Sequence, residues 1–173
     1  MAATLAIADP RLAAFLDKQE IRDVLMRYCR GIDRLDPELI ASVYHDDAYD
    51  DHGTFKGRGK DFAVHVIDGL ARFERTMHFL GNSLIELDGD AAKSETYFVA
   101  YHRLRRGDGS AEDFVAGGRY VDRFERRNGT WLIAKRVVVM EWTRFDEVTR
   151  EWEANEHFTI GQRDHGDLVY TLD

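Results

Sequence analysis

The feature that most restricts what this chain can fold into is a change of character after Phe73. Beyond that point three turn signals, Asp88-Gly89-Asp90, Gly107-Asp108-Gly109 and Asn128-Gly129, divide long stretches rich in alternating apolar residues. Short Gly-containing turns bring successive strands back antiparallel. The pattern therefore predicts four long strands over 77–87, 93–104, 114–125 and 130–144, each hydrogen-bonded to the next.

Ahead of Phe73 the period is helical. Ile21, Val24, Leu25, Tyr28 and Ile32 recur at the spacing of one helix face. Asp17 is the expected N-cap, with Glu20 three residues on completing a capping box. Gly31 and Asp33 fall at the end of that helix. Asp36-Pro37 starts a second, short helix, because proline at the first helical position gives up no hydrogen bond; Leu39, Ile40 and Val43 would bury it. A third helix is expected over 59–73, with Phe62, Val66, Leu70 and Phe73 on one side. Residues 48–57 read as two short edge strands turning at Gly53, and 145–173 is weakly patterned.

Helices first and strands after predict an α+β fold. Three helices over the concave face of one curved antiparallel sheet make a cone, with an apolar pocket between the layers. At 173 residues the chain fits a single domain, 1–173, with its core over about 16–144 and a C-terminal extension over 145–173. An outer face carrying Tyr97, Val99, Tyr101, Val137 and Val139 would need cover, which predicts a homodimer or homotrimer.

Composition excludes several classes. A net charge of −8 repels phosphate backbones, so nucleic acid is not an expected partner. The arginines at 103, 105, 106 and at 123, 126, 127 flank turns and read as solvated strand ends. No apolar run is long enough to span a bilayer, so no membrane partner is expected. Residues 1–7 are apolar but lack a basic start, so they do not read as a signal peptide, and a cytoplasmic protein is expected. Cys29 is the single cysteine, which rules out an internal disulfide and argues against a cysteine zinc site.

Among polar side chains, His45-Asp46-Asp47 and Asp50-Asp51-His52 invite a metal reading. Neighbouring residues on extended chain point to opposite faces, however, which favours solvated loop and edge-strand protection. No metal and no cofactor are expected, and neither a phosphate loop nor a serine nucleophile elbow is present. His65 reads as boundary surface. Tyr101 and His102 lie on opposite faces of one strand, so at most one sees a pocket. Tyr49, Phe55, Met140 and Trp142 are candidate lining residues, with core packing as the alternative, and Cys29 reads as a small buried hydrophobe.

Several strings together resemble the SnoaL-like branch of the nuclear-transport-factor-2-like superfamily, over about Leu16 to Arg144. They are Ile21-Arg22-Asp23, Tyr28-Cys29-Arg30-Gly31-Ile32-Asp33, His45-Asp46-Asp47-Ala48, Met77-His78-Phe79-Leu80-Gly81-Asn82, Gly118-Arg119-Tyr120 and Asn128-Gly129-Thr130-Trp131. The pattern is similar to cofactor-independent lyases of the scytalone dehydratase, hexachlorocyclohexane dehydrochlorinase and bile-acid 7α-dehydratase type. That resemblance implies that Asp33 orients His78 and that Tyr28 is an auxiliary acid. It further implies a hydrophobic aromatic or polycyclic substrate and a dehydratase or eliminase reaction. An arginine of the bile-acid enzyme's last strand falls near Met140 here, so any polar anchor for substrate must differ. The same pair could serve carbon–carbon cleavage with loss of formaldehyde, or isomerisation. The fold also hosts binding modules and structural subunits.

The chemistry is coherent without the resemblance. An elimination needs a base for a carbon-bound proton and an acid for the leaving group, and imidazole can be either near neutrality. A carboxylate on its far nitrogen fixes the tautomer and stabilises the imidazolium.

Overall fold

The computed structural model describes residues 9–151 and 157–172. The segment 1–7 weighed above as a leader lies outside the described residues, as do 152–156 of the extension.

The chain runs α1 (Pro10–Asp33), α2 (Pro37–Ser42), β1 (Tyr44–Asp51), β2 (Lys56–Arg58), α3 (Gly59–Leu70), β3 (Arg75–Asp88), β4 (Ala91–Arg105), β5 (Ala111–Arg127), β6 (Thr130–Glu147) and a short α4 (Leu168–Thr171). One curved six-stranded sheet forms in the order β2-β1-β6-β5-β4-β3. The four long strands are antiparallel neighbours, whereas β1 joins β6 in parallel. The β5–β6 turn has positive φ at both Asn128 and Gly129, which suits the right-handed twist of the strands it joins.

The first helix begins earlier than its apolar stripe suggests. Asp9 caps it by accepting a hydrogen bond from the Arg11 N–H at 2.8 Å, and Pro10 opens it. Asp17 is therefore mid-helix and not a cap. Its carboxylate instead accepts from Trp131 Nε1 at 2.9 Å and Arg126 Nη1 at 2.6 Å, tying α1 to the end of the sheet. The Asp36 cap of α2 forms as expected, accepting from the Leu39 N–H at 2.9 Å. The third helix stops at Leu70, short of Phe73.

Alternation along β4 sorts side chains between the two faces. Ala92, Ser94, Thr96, Phe98, Ala100 and His102 are buried, while Tyr97 and Val99 stand outside. The core lies between the buried face and the helices, with Ile21, Leu25 and Tyr28 of α1 meeting Phe98, Tyr120 and Phe124. On the outer face the register aligns Phe79, Val99, Gly117 and Trp142 in one row. The Trp142 ring occupies the place where a Gly117 side chain would stand.

Two bulges in β6 decide which face its side chains take. Ile133 pairs with Phe124 but Lys135 with Arg123, so Ala134 is an extra residue. Met140 pairs with Gly118 but Trp142 with Gly117, so Glu141 is another. Each extra residue reverses the alternation. The first bulge turns Arg136 inward, and the second turns Trp142 outward.

The α1–α2 corner has no spare space. A side-chain carbon added to Gly31 would stand 2.7 Å from Ile40 Cγ1 and 3.0 Å from the Ile40 backbone nitrogen. Helix propensity favours Gly31→Ala by about 1 kcal/mol, but overpacking against backbone costs about 1–3 kcal/mol. The expected outcome is a lower urea midpoint for Gly31→Ala with an unchanged m-value. A raised midpoint would show that the corner can open at little cost.

Candidate functional site

Asp33 is the last residue of α1, where an anion faces the negative end of the helix dipole. It is nevertheless buried, because β3 supplies compensating donors. The Asp33 Oδ1 atom lies 2.8 Å from His78 Nδ1, and Asp33 Oδ2 accepts the His78 backbone N–H at 2.9 Å. One carboxylate therefore holds both the ring and the main chain of His78. Burial pushes the Asp33 pKa up, but the hydrogen bonds and charge of His78 outweigh it and hold the carboxyl below its usual range. An ionised Asp33 fixes the proton of neutral His78 on Nδ1 and leaves Nε2 as the basic nitrogen. Among the described residues no hydrogen-bond partner occupies Nε2.

His102 of β4 stands with its ring perpendicular to His78, centroids 5.5 Å apart, and packs on Phe73 and Phe114. Burial, and then repulsion from His78, pulls its pKa down to about 4. Its Nδ1 is buried without a hydrogen-bond partner among the described residues. Tyr101, on the opposite side of the strand, donates to Asp113 at 2.9 Å.

Tyr28 belongs to a different cluster. Its hydroxyl lies 3.3 Å from His52 Nε2, and His52 Nδ1 lies 2.8 Å from Asp50 Oδ1. Asp50 is wholly buried and accepts a second bond from the Tyr44 hydroxyl at 2.6 Å. Arg136 is also wholly buried, its guanidinium 4.2 Å from the ring centroids of both Tyr28 and Tyr120. Burial opposes a charge there, but a two-bond pairing with Asp122 at 2.8 and 2.7 Å outweighs it and keeps Arg136 charged. Asp50 is thus built into the core with His52 partly buried beside it, and neither is the solvated edge expected of them. His52 stacks on Phe62 with centroids 4.1 Å apart. Among the described residues no group of three or more His, Cys, Asp or Glu side chains is arranged to hold a metal.

The expected lining residues are dispersed. Tyr49 is 40% exposed on β1, and Phe55 packs against Phe62 and His65. Met140 shares the row of Phe98 but is half exposed, and the bulge at Glu141 sends Trp142 to the outer face. The cavity that Asp33 does line, of about 280 Å³, is formed instead by Arg34, by Arg75, Thr76 and Met77 of β3, by Tyr101 and by the C-terminal stretch Gly161, Gln162 and Arg163; His78 is not among its walls. That stretch is anchored by the Arg34–Asp167 ion pair at 3.2 Å, and by His165 and Tyr170 on Asp36 at 3.1 and 3.3 Å.

The comparisons agree with this architecture. A model of the SnoaL-like domain family matches residues 13–137, and the chain belongs to that family. Among curated relatives, the uncharacterized protein Rv2910c of Mycobacterium tuberculosis is 28% identical over 129 residues, 73% of this chain and 86% of the relative. Among solved structures, the hexachlorocyclohexane dehydrochlorinase LinA-type3 of Novosphingobium barchaimii LL02 matches with a TM-score of 0.68 at 19% identity, covering 87% of this chain and 99% of that one. A scytalone dehydratase candidate of Novosphingobium aromaticivorans DSM 12444 matches at 0.67 and 21% identity, covering 76% and 88%. At such identities these structures attest the shared fold.

The two titrating groups separate in pH. A neutral buried His102 lets the unfolded chain bind its proton first, so stability falls as pH drops from about 6.5 to about 4, by at most about 3 kcal/mol. Asp33, whose folded pKa is depressed, stabilises fully above the unfolded carboxylate value of about 3.9 and loses that contribution as pH falls further. Unfolding free energies of wild type and His102→Phe should therefore converge differently: the variant's curve is flatter between those limits and parallel to wild type below them. Parallel curves throughout would show that His102 titrates normally.

Proposed function

We propose that this protein is a cofactor-independent lyase of the dehydratase or eliminase type, acting on a hydrophobic small molecule. The observation that carries the reading is the double grip of Asp33 on His78. It presets the tautomer and orients the ring through one oxygen, holds the main chain through the other, and leaves Nε2 unengaged among the described residues. In the reaction His78 Nε2 takes a proton from carbon. The C–H electrons form the new double bond, and the leaving group departs from the adjacent carbon with its own bonding pair: chloride leaves as the anion, and a hydroxyl leaves as water by taking the proton back from the His78 imidazolium. The Asp33 charge stabilises the imidazolium, and a neutral His102 beside it does not repel the new cation. The dehydrochlorinase and dehydratase names among the structural neighbours are consistent with eliminations of this kind. Tyr28 enters as an auxiliary group at most, since its hydroxyl is engaged by His52.

The test is a panel of cyclic and aryl substrates carrying a hydroxyl or chloride next to an acidic C–H, hexachlorocyclohexane included. Loss of water is read by mass and loss of HCl as chloride release. His78→Ala should lower kcat/KM by about 10²–10⁴-fold or more. Asp33→Asn should lower kcat strongly with little change in KM, because it removes the group that sets the tautomer. Tyr28→Phe should cost less than either. Turnover unaffected by His78→Ala would return the protein to the binding-module class.

We also propose that the outer sheet face joins copies of the chain into a homodimer or homotrimer. Phe79, Trp142 and, less fully, Tyr97 and Val99 are exposed there, and contiguous apolar surface of this kind is uncommon on monomers. Light scattering should give a multiple of 20.0 kDa, reduced to the monomer by Phe79→Asp. A monomer in wild type at micromolar concentration would exclude it.

A further inference from the structure

The walls of the Asp33 cavity carry cations that the Asp33–His78 pair does not use. Arg34, Arg75 and Arg163 all line it, beside Met77 and Tyr101. Their existing partners differ. Arg34 is paired with Asp167 at 3.2 Å. Among the described residues Arg75 has only long contacts, 3.7 Å to Glu74 and 3.4 Å to the Gly161 carbonyl, and the other oxygen of Glu74 is taken by Arg105 at 2.7 Å.

Arg163 is bonded to carbonyls alone. Its Nη1 donates to Leu70 O at 2.9 Å and to Phe73 O, and its Nε to Asp33 O at 3.5 Å. Its Nη2 is buried with no hydrogen-bond partner among the described residues. A guanidinium donor left this way costs more than an ordinary unmade bond, since the group is charged and partly desolvated. Burial also pulls the Arg163 pKa down from its usual value, and the charge of Asp33 only partly offsets it.

We propose that this cavity is a carboxylate-binding subsite, in which Arg163 and Arg75 hold the acid group of a hydrophobic acid whose apolar part lies against Met77 and Tyr101. Planar guanidinium donors match a carboxylate in two-bond geometry. The ionised Asp33 in the same wall disfavours a dianion, which selects a carboxylate over a phosphate. Arg163 lies beyond the matched family segment, so the anchor is supplied by the C-terminal extension. It takes the place of the last-strand arginine whose position here falls near Met140. The inference rests on the lyase reading only in naming the class of molecule held beside Asp33.

The test is calorimetric binding of three probes to the full chain: 3-phenylpropanoate, its neutral amide, and phenyl phosphate. Wild type should bind the acid about tenfold or more tighter than the amide, the scale of one charge-assisted contact. Arg163→Gln and Arg75→Gln should each weaken the acid by a similar factor and leave the amide unchanged, with Arg163→Lys restoring part. Arg75→Gln decides the matter if Arg163→Gln fails to fold. In His78→Ala the acid preference should persist although turnover is lost, which separates this inference from the lyase reading. Equal affinity for acid and amide, acid binding indifferent to both glutamine variants, or tighter binding of phenyl phosphate would each overturn it.

Discussion

A guanidinium buried without exposure inside a small domain is tolerable only if its charge is matched and its faces are covered. Arg136 meets both conditions, with Asp122 across the β5–β6 ladder and the rings of Tyr28 and Tyr120 on either side. That requirement fixes α1, because Tyr28 must lie against the guanidinium. Five residues further along the same helix Asp33 reaches β3, an edge strand three places from β6. The helix thus spans from β6 to β3, and the position of the carboxylate beside His78 follows from where a charge on a different strand had to be covered.

The molecule contains two Asp–His pairs, and their second contacts separate their uses. In each, a carboxylate oxygen lies 2.8 Å from Nδ1. The Asp50 carboxylate spends its other oxygen on the Tyr44 hydroxyl, and His52 meets Tyr28 through Nε2 while stacking on Phe62. Every polar end of that pair is engaged by core side chains, which suits a network that specifies packing. Asp33 spends its other oxygen on the backbone of the very histidine it orients, and Nε2 of His78 is left without a partner among the described residues. Identical chemistry thus serves rigidity in one place and an available base in the other.

How far the sequence foretold this depended on local parity. The hairpins were legible because Asn128-Gly129 and Asp88-Gly89-Asp90 carry their own backbone preference. The placement of Asp33 at a helix end and His78 on the first long strand followed from periodicity, and their pairing from the resemblance. Asp122 was findable, since it alternates with the inward Tyr120 and Phe124. Arg136 was not, because counting by twos from Trp131 and Ile133 puts it outside, and only the bulge at Ala134 brings it in. The same arithmetic failed for Trp142, which two-residue spacing groups with Met140 and the bulge at Glu141 separates. Asp17 misled for another reason: a capping pattern inside a helix is indistinguishable locally from one at its start. His102 was seen as one of two opposed faces, but its closeness to His78 depends on the β3–β4 register. The contacts of Arg163 depend on tertiary folding of a stretch with no period of its own.

These features share a physical logic of unfavourable local choices redeemed across the sheet. An anion at the C-terminus of α1 opposes the helix dipole by roughly 0.3–1 kcal/mol, and burying it costs more. Neither would persist without the His78 ring and N–H on β3. His102 carries a related cost, an imidazole held neutral beside another imidazole, with one nitrogen unmatched among the described residues. A sequence under no demand but stability would place apolar residues at 33 and 102. That both positions hold ionisable groups set against His78, with Asp33 also lining a cavity walled by arginines, locates the stored strain at one end of the sheet. Functional sites are where such local conflicts concentrate, and here they converge on His78 Nε2.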